Sequence, residues 1–284
     1  MSSLTIRSMT PAELDLAVEW AAAEGWNPGL EDAAAFRAAD PDGFRMAFLD
    51  DEPAACISVV RYGEAFAFLG FYICRPPLRG RGIGYALWQD SLDWLGERGI
   101  GLDGVVDQQA NYRKAGFVLA HRNVRYASDL LPLVEPGERD PALLPIDAEL
   151  AERIAAYDSA HCGWARPRFL EAWLAPAETR HGTALVEDGE LRGYGVLRQA
   201  REGMKVGPLF AADARTAERL LSDFTIRAGN HRLFLDVPEP NAAGVALARD
   251  FGLEPVFETA RMYRGPAPDL PLEEVFGITS FELG

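Results

Sequence analysis

Apolar and polar residues alternate along several short segments of the chain, whereas in other segments the apolar residues recur every three to four positions. Alternation is typical of half-buried strands, and the longer period is typical of amphipathic helices. In the first half of the chain, the predicted strands are 3–9, 44–50, 54–62, 65–74, 99–105 and 117–128. The predicted helices of this half are 11–25, 30–39, 82–97 and 108–115. A strand, a crossover helix and another strand near the middle predict a mixed α/β (α+β) fold whose central sheet is flanked by helices.

The first predicted helix carries signals at both of its ends. Thr10 is a suitable N-cap, Pro11 occupies the first helical position, and Glu13 follows the cap by three residues. This arrangement is typical of a capping box, and Gly25 is a suitable stop.

The same pattern occurs a second time in the chain. Residues 47–62 align with 184–199 without a gap at an offset of 137, and residues 115–127 align with 251–263 at an offset of 136. Chance similarity would not keep nearly one offset across two separated matches. The sequence therefore predicts a tandem duplication of one fold.

The alignment also predicts the elements of the second copy. Gly116 falls on Gly252, and Arg125 falls on Arg261. The expected helices are 147–158, 166–175, 212–228 and 241–250, and the expected strands are the hairpin 183–199, then 203–210, 231–237 and 254–264.

A proline-rich stretch separates the two copies. Its prolines are Pro132, Pro136, Pro141 and Pro145. Proline continues neither a helix nor a central strand. We therefore expect a linker at 131–146 between a first domain over 1–130 and a second domain over 147–284.

Charge narrows the class of partner. The chain has 43 acidic and 28 basic side chains, a formal net charge of −15. A nucleic acid or an anionic membrane would be repelled on average, so neither is an expected partner. The same charge suits a cationic substrate such as an amine, but solubility is the favoured explanation for it.

Cysteine usage and the N-terminus indicate a compartment. Cys56, Cys74 and Cys162 are widely spaced and form no CxxC or His/Cys cluster, so no metal site is expected and a reducing environment is indicated. The N-terminal residues do not resemble a signal peptide, and no apolar run approaches the ~20 residues that span a bilayer. We therefore expect a cytoplasmic protein.

The segment RPPLRGRGIGYALW, residues 75–88, is the strongest chemical signal. A glycine-rich turn between a strand and a helix suits an anion, because backbone N–H groups and the helix N-terminus point at the same place. A nucleotide-binding P-loop needs a lysine that is absent here, and a Rossmann fingerprint follows the first strand of its fold rather than the fourth.

At these residues the sequence resembles the GNAT superfamily of N-acetyltransferases. RGRGIG, residues 79–84, fits the family pattern Arg/Gln-x-x-Gly-x-Gly/Ala in the family's position between the fourth strand and the third helix. NYRKAGF, residues 111–117, resembles the later family segment in which a tyrosine precedes a Gly-Phe pair by four residues. The resemblance covers residues 1–128 well, and the whole chain resembles a subgroup with two tandem GNAT domains.

The resemblance implies an acetyl-CoA site in the first copy and no metal. The residues that it assigns to the pyrophosphate are Arg79, Gly80, Arg81, Gly82, Ile83 and Gly84. Those that it assigns to the pantetheine arm are Tyr72, Ile73 and Cys74, whose strand edge would pair with the arm as an added strand. Asn111 is assigned to the pantetheine or thioester region, and Tyr112 is the implied general acid for the departing thiolate. Gly70 is expected to mark a bulge that separates this strand from the next.

The family's chemistry is direct attack of a neutral amine on the thioester, so a base or a water chain has to remove a proton. Glu64, Asp103 and Asp107 are the candidate bases, although each is a plausible structural or solvated carboxylate. Nothing in the sequence pairs Cys74 with a histidine, so its thiol is interpreted as packing rather than as a nucleophile.

The second copy lacks these features. Its segment 205–221 has neither the glycine triplet nor the arginines, Asp213 would lie near any pyrophosphate, and Ala248 stands at the tyrosine position. We expect this copy to bind no acetyl-CoA and to help shape the acceptor site. The residues of the segment 157–173 considered for that role are Asp158, Arg166, Phe169 and Trp173, with ordinary helix packing as the equal alternative.

The favoured function is an acetyl-CoA-dependent N-acetyltransferase that acts on a primary amine of a small molecule. The alternatives are a non-catalytic acyl-CoA-binding sensor, a mycothiol-synthase-like enzyme and a protein-lysine acyltransferase.

Overall fold

The computed structural model describes residues 3–129 and 140–284. The helices are α1 (Pro11–Ala23), α2 (Asp32–Ala39), α3 (Ile83–Leu95), α4 (Gln109–Lys114), α5 (Ala148–Cys162), α6 (Pro167–Leu174), α7 (Ala214–Ala228) and α8 (Ala242–Asp250). The strands are β1 (Leu4–Ser8), β2 (Phe44–Leu49), β3 (Glu52–Tyr62), β4 (Phe66–Cys74), β5 (Gly99–Val105), β6 (Val118–Ala127), β7 (Leu143–Pro145), β8 (Arg180–Glu187), β9 (Glu190–Gln199), β10 (Met204–Ala211), β11 (Leu233–Pro238), β12 (Glu254–Arg264) and β13 (Val275–Gly277).

The predicted mixed α/β fold is confirmed, and the local signals act as expected. The Thr10 hydroxyl accepts a hydrogen bond from the Glu13 N–H, and the Glu13 carboxylate accepts one from the Thr10 N–H at 2.7 Å. The capping box therefore fixes the start of α1.

The predicted linker at 131–146 is wrong in its last part. Residues 130–139 lie outside the described residues, but Leu143–Pro145 forms β7 and pairs with β8. Pro145 is compatible with this strand because it ends β7 at the edge of the sheet, where a missing N–H costs no ladder bond. The second half of the molecule thus includes β7.

Strands from the two copies form one continuous sheet with the order β1-β2-β3-β4-β5-β12-β6-β11-β10-β9-β8-β7, and β13 pairs with β10. The closing strand of each copy lies in the other half, because β12 pairs with β5 and β6 pairs with β11, both antiparallel. The copies are therefore joined by an exchange of strands rather than arranged as two separate sheets.

Two equivalent buried ion pairs hold this exchange. Arg125 of β6 pairs with Asp236 of β11, and Arg261 of β12 pairs with Asp103 of β5, each with an N–O distance of 2.7 Å. In both pairs two guanidinium nitrogens donate to the two carboxylate oxygens. The aligned arginines of the repeat thus reach the acid of the opposite half.

The helices cover the sheet in three apolar clusters. One cluster forms between α3 and the first-half strands, and a second forms between α7 and the second-half strands. The third joins side chains of α1, α2, α5 and α6 across both halves, where Phe36 stacks on Trp173 with ring centroids 6.1 Å apart. Because this cluster is common to both halves, burial of apolar surface holds them together.

The strand β4 bulges and then leaves its neighbour. Its ladder with β3 shifts register where Cys56 faces Ile73 and Ser58 faces Gly70, and Phe71 between them has a positive φ of 46°. The parallel pairing with β5 extends only from Phe66 to Leu69. The predicted bulge at Gly70 is confirmed, and a gap opens between β4 and β5 beyond it.

The strand β10 repeats this behaviour at Gly207, which corresponds to Gly70 at the offset of 137. Its parallel pairing with β11 ends at Val206, and its ladder with β9 shifts register immediately afterwards. Here β13 enters the gap, because it pairs with β10 while the N–H of Ile278 donates to the Asp236 carbonyl of β11 at 2.9 Å.

Over residues 3–129 and 140–284, no helix is both long enough and apolar enough to cross a membrane.

Candidate active site

A cavity of about 670 Å³ occupies the gap between β4 and β5. Its walls come from β4, the loop before α3, the start of α3, the end of β5 and Tyr112 of α4. Its inner side is closed by Trp26, by residues of β12 and by the C-terminal segment, which comprises residues 275–284. This volume lies within the range of small-molecule and cofactor sites, about 300–1,000 Å³.

The glycine loop forms the outer end of this cavity. Gly80 and Gly82 have φ values of +74° and +80°, a backbone region that L side chains rarely adopt, and neither has an atom within 4 Å of where a Cβ would lie. The Ala86 N–H donates to the Gly82 carbonyl, so the backbone N–H groups before it have no partner within the helix. The loop therefore exposes backbone donors at a helix N-terminus, where an anion is stabilised.

The two loop arginines differ in their surroundings. Arg79 pairs with Glu24 at the end of α1 and donates from Nε to the Cys74 carbonyl at 2.9 Å. Arg81 is exposed and is not among the residues that line the cavity. An anion bound at the loop would compete with Glu24 for the Arg79 guanidinium.

The predicted strand edge at Tyr72, Ile73 and Cys74 lies along the cavity, and within the described residues no strand pairs with it on the β5 side. The Ile73 side chain packs in the cluster common to both halves, while Tyr72 and Cys74 lie against α3. Burial raises the pKa of the Cys74 thiol, so the thiolate is disfavoured. The interpretation of Cys74 as a packing residue agrees with this environment.

Tyr112 is positioned by packing on both sides of its ring. A Cβ at Gly104 of β5 would lie 2.4 Å from that ring, so the ring needs a glycine beneath it. Trp88 stacks against the ring at a centroid distance of 5.7 Å, and Phe117 contacts its edge. Burial, with a smaller contribution from Tyr72, raises the pKa of Tyr112. The phenol therefore stays protonated at neutral pH and can donate a proton into the cavity.

Asn111 lies apart from the other predicted site residues. Its side chain is exposed on α4 and donates to Gln108 Oε1 at 2.9 Å. Gln108, rather than Asn111, lines the cavity. The structure thus brings together Tyr72, Ile73, Cys74, Arg79, Gly80, Gly82, Ile83, Gly84 and Tyr112, and leaves Arg81 and Asn111 outside the lining.

The three candidate bases also separate. Glu64 pairs with Arg98, and its side chain is 98% exposed outside the cavity lining. The Asp103 carboxylate is fully buried and accepts hydrogen bonds from Arg261 and Asn123 on the two oxygens. Asp107 lies on the exposed rim of the cavity. Of the three, only Asp107 both lines the cavity and has a carboxylate that forms no hydrogen bond or ion pair with a described residue.

The C-terminal segment contributes two cavity residues that sequence reasoning did not identify, Phe281 and Glu282. A Cβ at Gly70 would lie 2.5 Å from the Glu282 carbonyl oxygen, so the segment passes directly over the bulge of β4. The segment shows no motif, and its position depends on contacts with residues more than 100 positions earlier in the chain. The pairing of Tyr62 with Leu283 across 221 residues is one of them.

The segment 157–173 does not line the cavity, so the considered acceptor role of its side chains is wrong. Asp158 and Arg166 form an ion pair with both side chains fully buried, and Phe169 and Trp173 lie in the apolar core. The Arg166 guanidinium also donates to Thr279 Oγ1 at 2.7 Å and to the Gly284 carbonyl. This segment therefore anchors the C-terminal residues that reach the cavity.

The second half has no counterpart of the glycine loop. The Asp213 carboxylate caps α7 by accepting the Thr216 N–H at 2.8 Å, and this hydrogen bond lowers the pKa of Asp213. A fixed negative charge therefore stands where the first half presents open backbone donors. Ala248 is buried at the tyrosine position.

No group of three or more His, Cys, Asp or Glu side chains suited to a metal ion occurs within residues 3–129 and 140–284.

Comparison with known proteins gives two family matches, one for each half. Residues 12–117 match the acetyltransferase (GNAT) family, and residues 154–277 match an acetyltransferase (GNAT) domain. The chain is also 30% identical over 278 residues to holothin acyltransferase from Pseudoalteromonas sp. (strain SANK 73390), covering 96% of this chain and 93% of that protein. The chain belongs to the GNAT family of acyltransferases and contains two GNAT domains, so the resemblance inferred from sequence is confirmed.

Solved structures show the same two-domain arrangement. A Pyrococcus horikoshii protein assigned as an acetyltransferase is 25% identical, with a TM-score of 0.79 and coverage of 99% of this chain and 96% of that chain. A tandem GNAT protein from the clavulanic acid biosynthesis pathway, solved without AcCoA, shares the fold at 14% identity, with a TM-score of 0.62 and coverage of 93% and 100%.

Proposed function

We propose that this chain is an acetyl-CoA-dependent N-acetyltransferase that transfers an acetyl group to a primary amine of a small molecule. The observation that carries the proposal is one cavity that combines a glycine loop with exposed donors, an unpaired strand edge and a protonated tyrosine. GNAT proteins generally use acetyl-CoA. One relative is named holothin acyltransferase, and this name supports acyl transfer as the type of reaction.

Two features of the cavity support acetyl-CoA as its ligand. The loop Arg79–Gly84 would hold the pyrophosphate, and the open edge at Tyr72 and Cys74 would receive the pantetheine arm as an added strand. This path runs from the N-terminus of α3 toward the bulge at Gly70. The acetyl group would then lie at the inner end of the cavity, where Tyr112 can protonate the departing sulfur.

The charge and shape of the cavity lining favour a cationic amine. The lining includes two acidic residues, Asp107 on the rim and Glu282 at the inner end, and the aromatic residues Trp26, Phe257 and Phe281. Carboxylates attract an ammonium group, and aromatic walls bury an apolar body. We propose that the first domain binds acetyl-CoA and that the second domain completes the acceptor side through β12 and its C-terminal segment.

A screen of small amines, with release of CoA as the readout, tests the proposed function. The expected result is stoichiometric CoA release and amide formation with at least one primary amine. Calorimetry on the same preparation measures acetyl-CoA binding. A chain that binds acetyl-CoA yet acylates no amine in a broad library would contradict the enzyme proposal and favour an acyl-CoA sensor.

A further inference from the structure

We infer that Glu282, contributed by the second domain, is the general base that removes a proton from the acceptor amine. The inference rests on the proposed N-acetyltransferase function and names a residue for a step that the sequence motifs leave unassigned. Three observations support it: the position of Glu282, the absence of a partner for its carboxylate within the described residues, and the partners or exposure of the other cavity carboxylates.

Glu282 lies where the acceptor meets the acyl group. Its backbone crosses the bulge at Gly70, and the residue belongs to the cavity lining although it is only 4% exposed. Within residues 3–129 and 140–284, no side chain or backbone group hydrogen-bonds to its carboxylate and no cation lies within 4.0 Å of it. Buried carboxylates are normally paired, so an unpaired one facing a ligand cavity indicates a partner that arrives with the ligand.

Two buried cations, Arg125 and Lys205, interact electrostatically with Glu282, but both bind other groups. Arg125 binds Asp236 through two nitrogens and donates to the Trp26 carbonyl at 3.0 Å. Lys205 donates to the Asn27 carbonyl at 3.2 Å. Burial lowers the pKa of Lys205 to about 7, and Glu282 is among the groups that oppose this shift. Neither cation is therefore an ion-pair partner of the Glu282 carboxylate.

The other carboxylates are less suited to the step. Asp103 is saturated by Arg261 and Asn123. Asp107 is exposed on the rim of the cavity, so water is available to compete for its carboxylate. Glu282 alone among them is buried at the inner end of the cavity.

Contacts from both halves of the molecule hold Glu282 in place. The Tyr62 hydroxyl donates to the Leu283 carbonyl at 3.0 Å, the Leu283 N–H donates to Ser280 Oγ at 3.2 Å, and Arg166 binds Thr279. These contacts fix the residues on both sides of Glu282. A base on a rigid support can be held at the position that proton transfer requires.

The proposed step conserves atoms and charge. Glu282 accepts one proton from the substrate ammonium, which leaves a neutral amine. Its nitrogen forms a bond to the acetyl carbonyl carbon, and the carbon–sulfur bond breaks with the electron pair going to sulfur. Tyr112 gives its proton to that sulfur, the second proton of the nitrogen restores the phenol through solvent, and Glu282 releases its own proton to solvent. The net products are the amide, the free thiol of CoA and one proton.

The test compares Glu282→Gln with wild type in three measurements: acetyl-CoA affinity by calorimetry, thermal unfolding, and turnover with an amine found in the screen. General base catalysis contributes roughly 10²- to 10⁴-fold, so we expect kcat to fall at least about 100-fold while acetyl-CoA affinity stays within about twofold. Glu273→Gln, an exposed glutamate two residues before β13, is the matched control and should behave as wild type.

A second variant separates a chemical role from a structural one. Formate should restore part of the turnover of Glu282→Ala, because it supplies a carboxylate to the space that the side chain leaves. The assignment is overturned if Glu282→Gln retains wild-type turnover, or if formate does not raise the turnover of Glu282→Ala. It is also overturned if turnover falls in Asp107→Asn but not in Glu282→Gln. A wild-type chain that acylates no amine would instead overturn the proposed function, and with it this step.

Discussion

The two halves of the molecule contain the same gap and fill it differently. Each half has a strand that bulges at an equivalent glycine, Gly70 or Gly207, and then leaves its parallel neighbour. In the first half the gap is a cavity bordered by a glycine loop, whereas in the second half β13 lies in it and Asp213 caps the adjoining helix. The duplicated fold thus preserves the opening between two strands. We propose that a cofactor can bind in this opening only where no strand of the protein already fills it.

The C-terminal segment connects these two situations. It begins as β13 in the gap of the second half and ends over the bulge of the first half, where Glu282 faces the cavity. One short stretch of chain therefore closes one site and completes the other. The second domain takes part in the chemistry that we propose, although we predict no cofactor site within it.

Gly82→Glu should have the largest effect on the comparison. It places a side chain and a negative charge at a position with φ +80° beside the exposed donors of α3, so acetyl-CoA binding should be lost in calorimetry. Gly189→Glu is the matched control, because Gly189 also has φ +80° and open space but lies in a hairpin of the second half. Equal loss of binding in both variants would show that strain, rather than the anion site, explains the result.

Tyr112→Phe should lower kcat by roughly 10²- to 10⁴-fold, the usual contribution of a general acid, with little change in acetyl-CoA affinity. Because burial raises the pKa of Tyr112, the acid form persists to higher pH than an ordinary phenol would allow. The wild-type rate should therefore show no decline caused by loss of this proton between pH 7 and about 10. A fully active Tyr112→Phe variant would remove Tyr112 as the acid.

Arg166→Met should destabilise the chain strongly, because it leaves the Asp158 carboxylate buried without its partner. Breaking a buried pair in this way costs about 3–5 kcal/mol, which urea unfolding can measure. Arg192→Met is the control, since its pair with Asp213 is exposed, with 42% and 50% of the side chains accessible, and should cost less than about 1 kcal/mol. Similar losses in the two variants would contradict the anchoring role that we give to Arg166.

Asp213→Ala should have the smallest effect and sharpens the comparison further. Loss of a helix N-cap costs about 1 kcal/mol, and the repelling charge at α7 is removed as well. No second acetyl-CoA site should appear, because β13 still fills the gap between β10 and β11. A second site in this variant would show that the charge, and not the strand, excludes the cofactor.

The sequence predicts those features that depend on neighbouring residues. The capping box at Thr10 and Glu13, the glycine loop and Tyr112 before Gly116 are all local patterns, and the structure has them at the expected places. The role of Asp103 could not be predicted in this way, because its partner Arg261 lies 158 residues away. The strand exchange, β13 and Glu282 are likewise set by contacts between distant segments, and a repeated sequence does not distinguish a strand that stays in its own half from one that crosses.

The most direct test of the account is the number of acetyl-CoA molecules that one chain binds. Titration calorimetry on the wild-type protein should give one site per chain, which Gly82→Glu abolishes and Gly189→Glu retains. Two sites per chain, or one site that survives Gly82→Glu, would contradict the assignment of the cofactor to the gap of the first half.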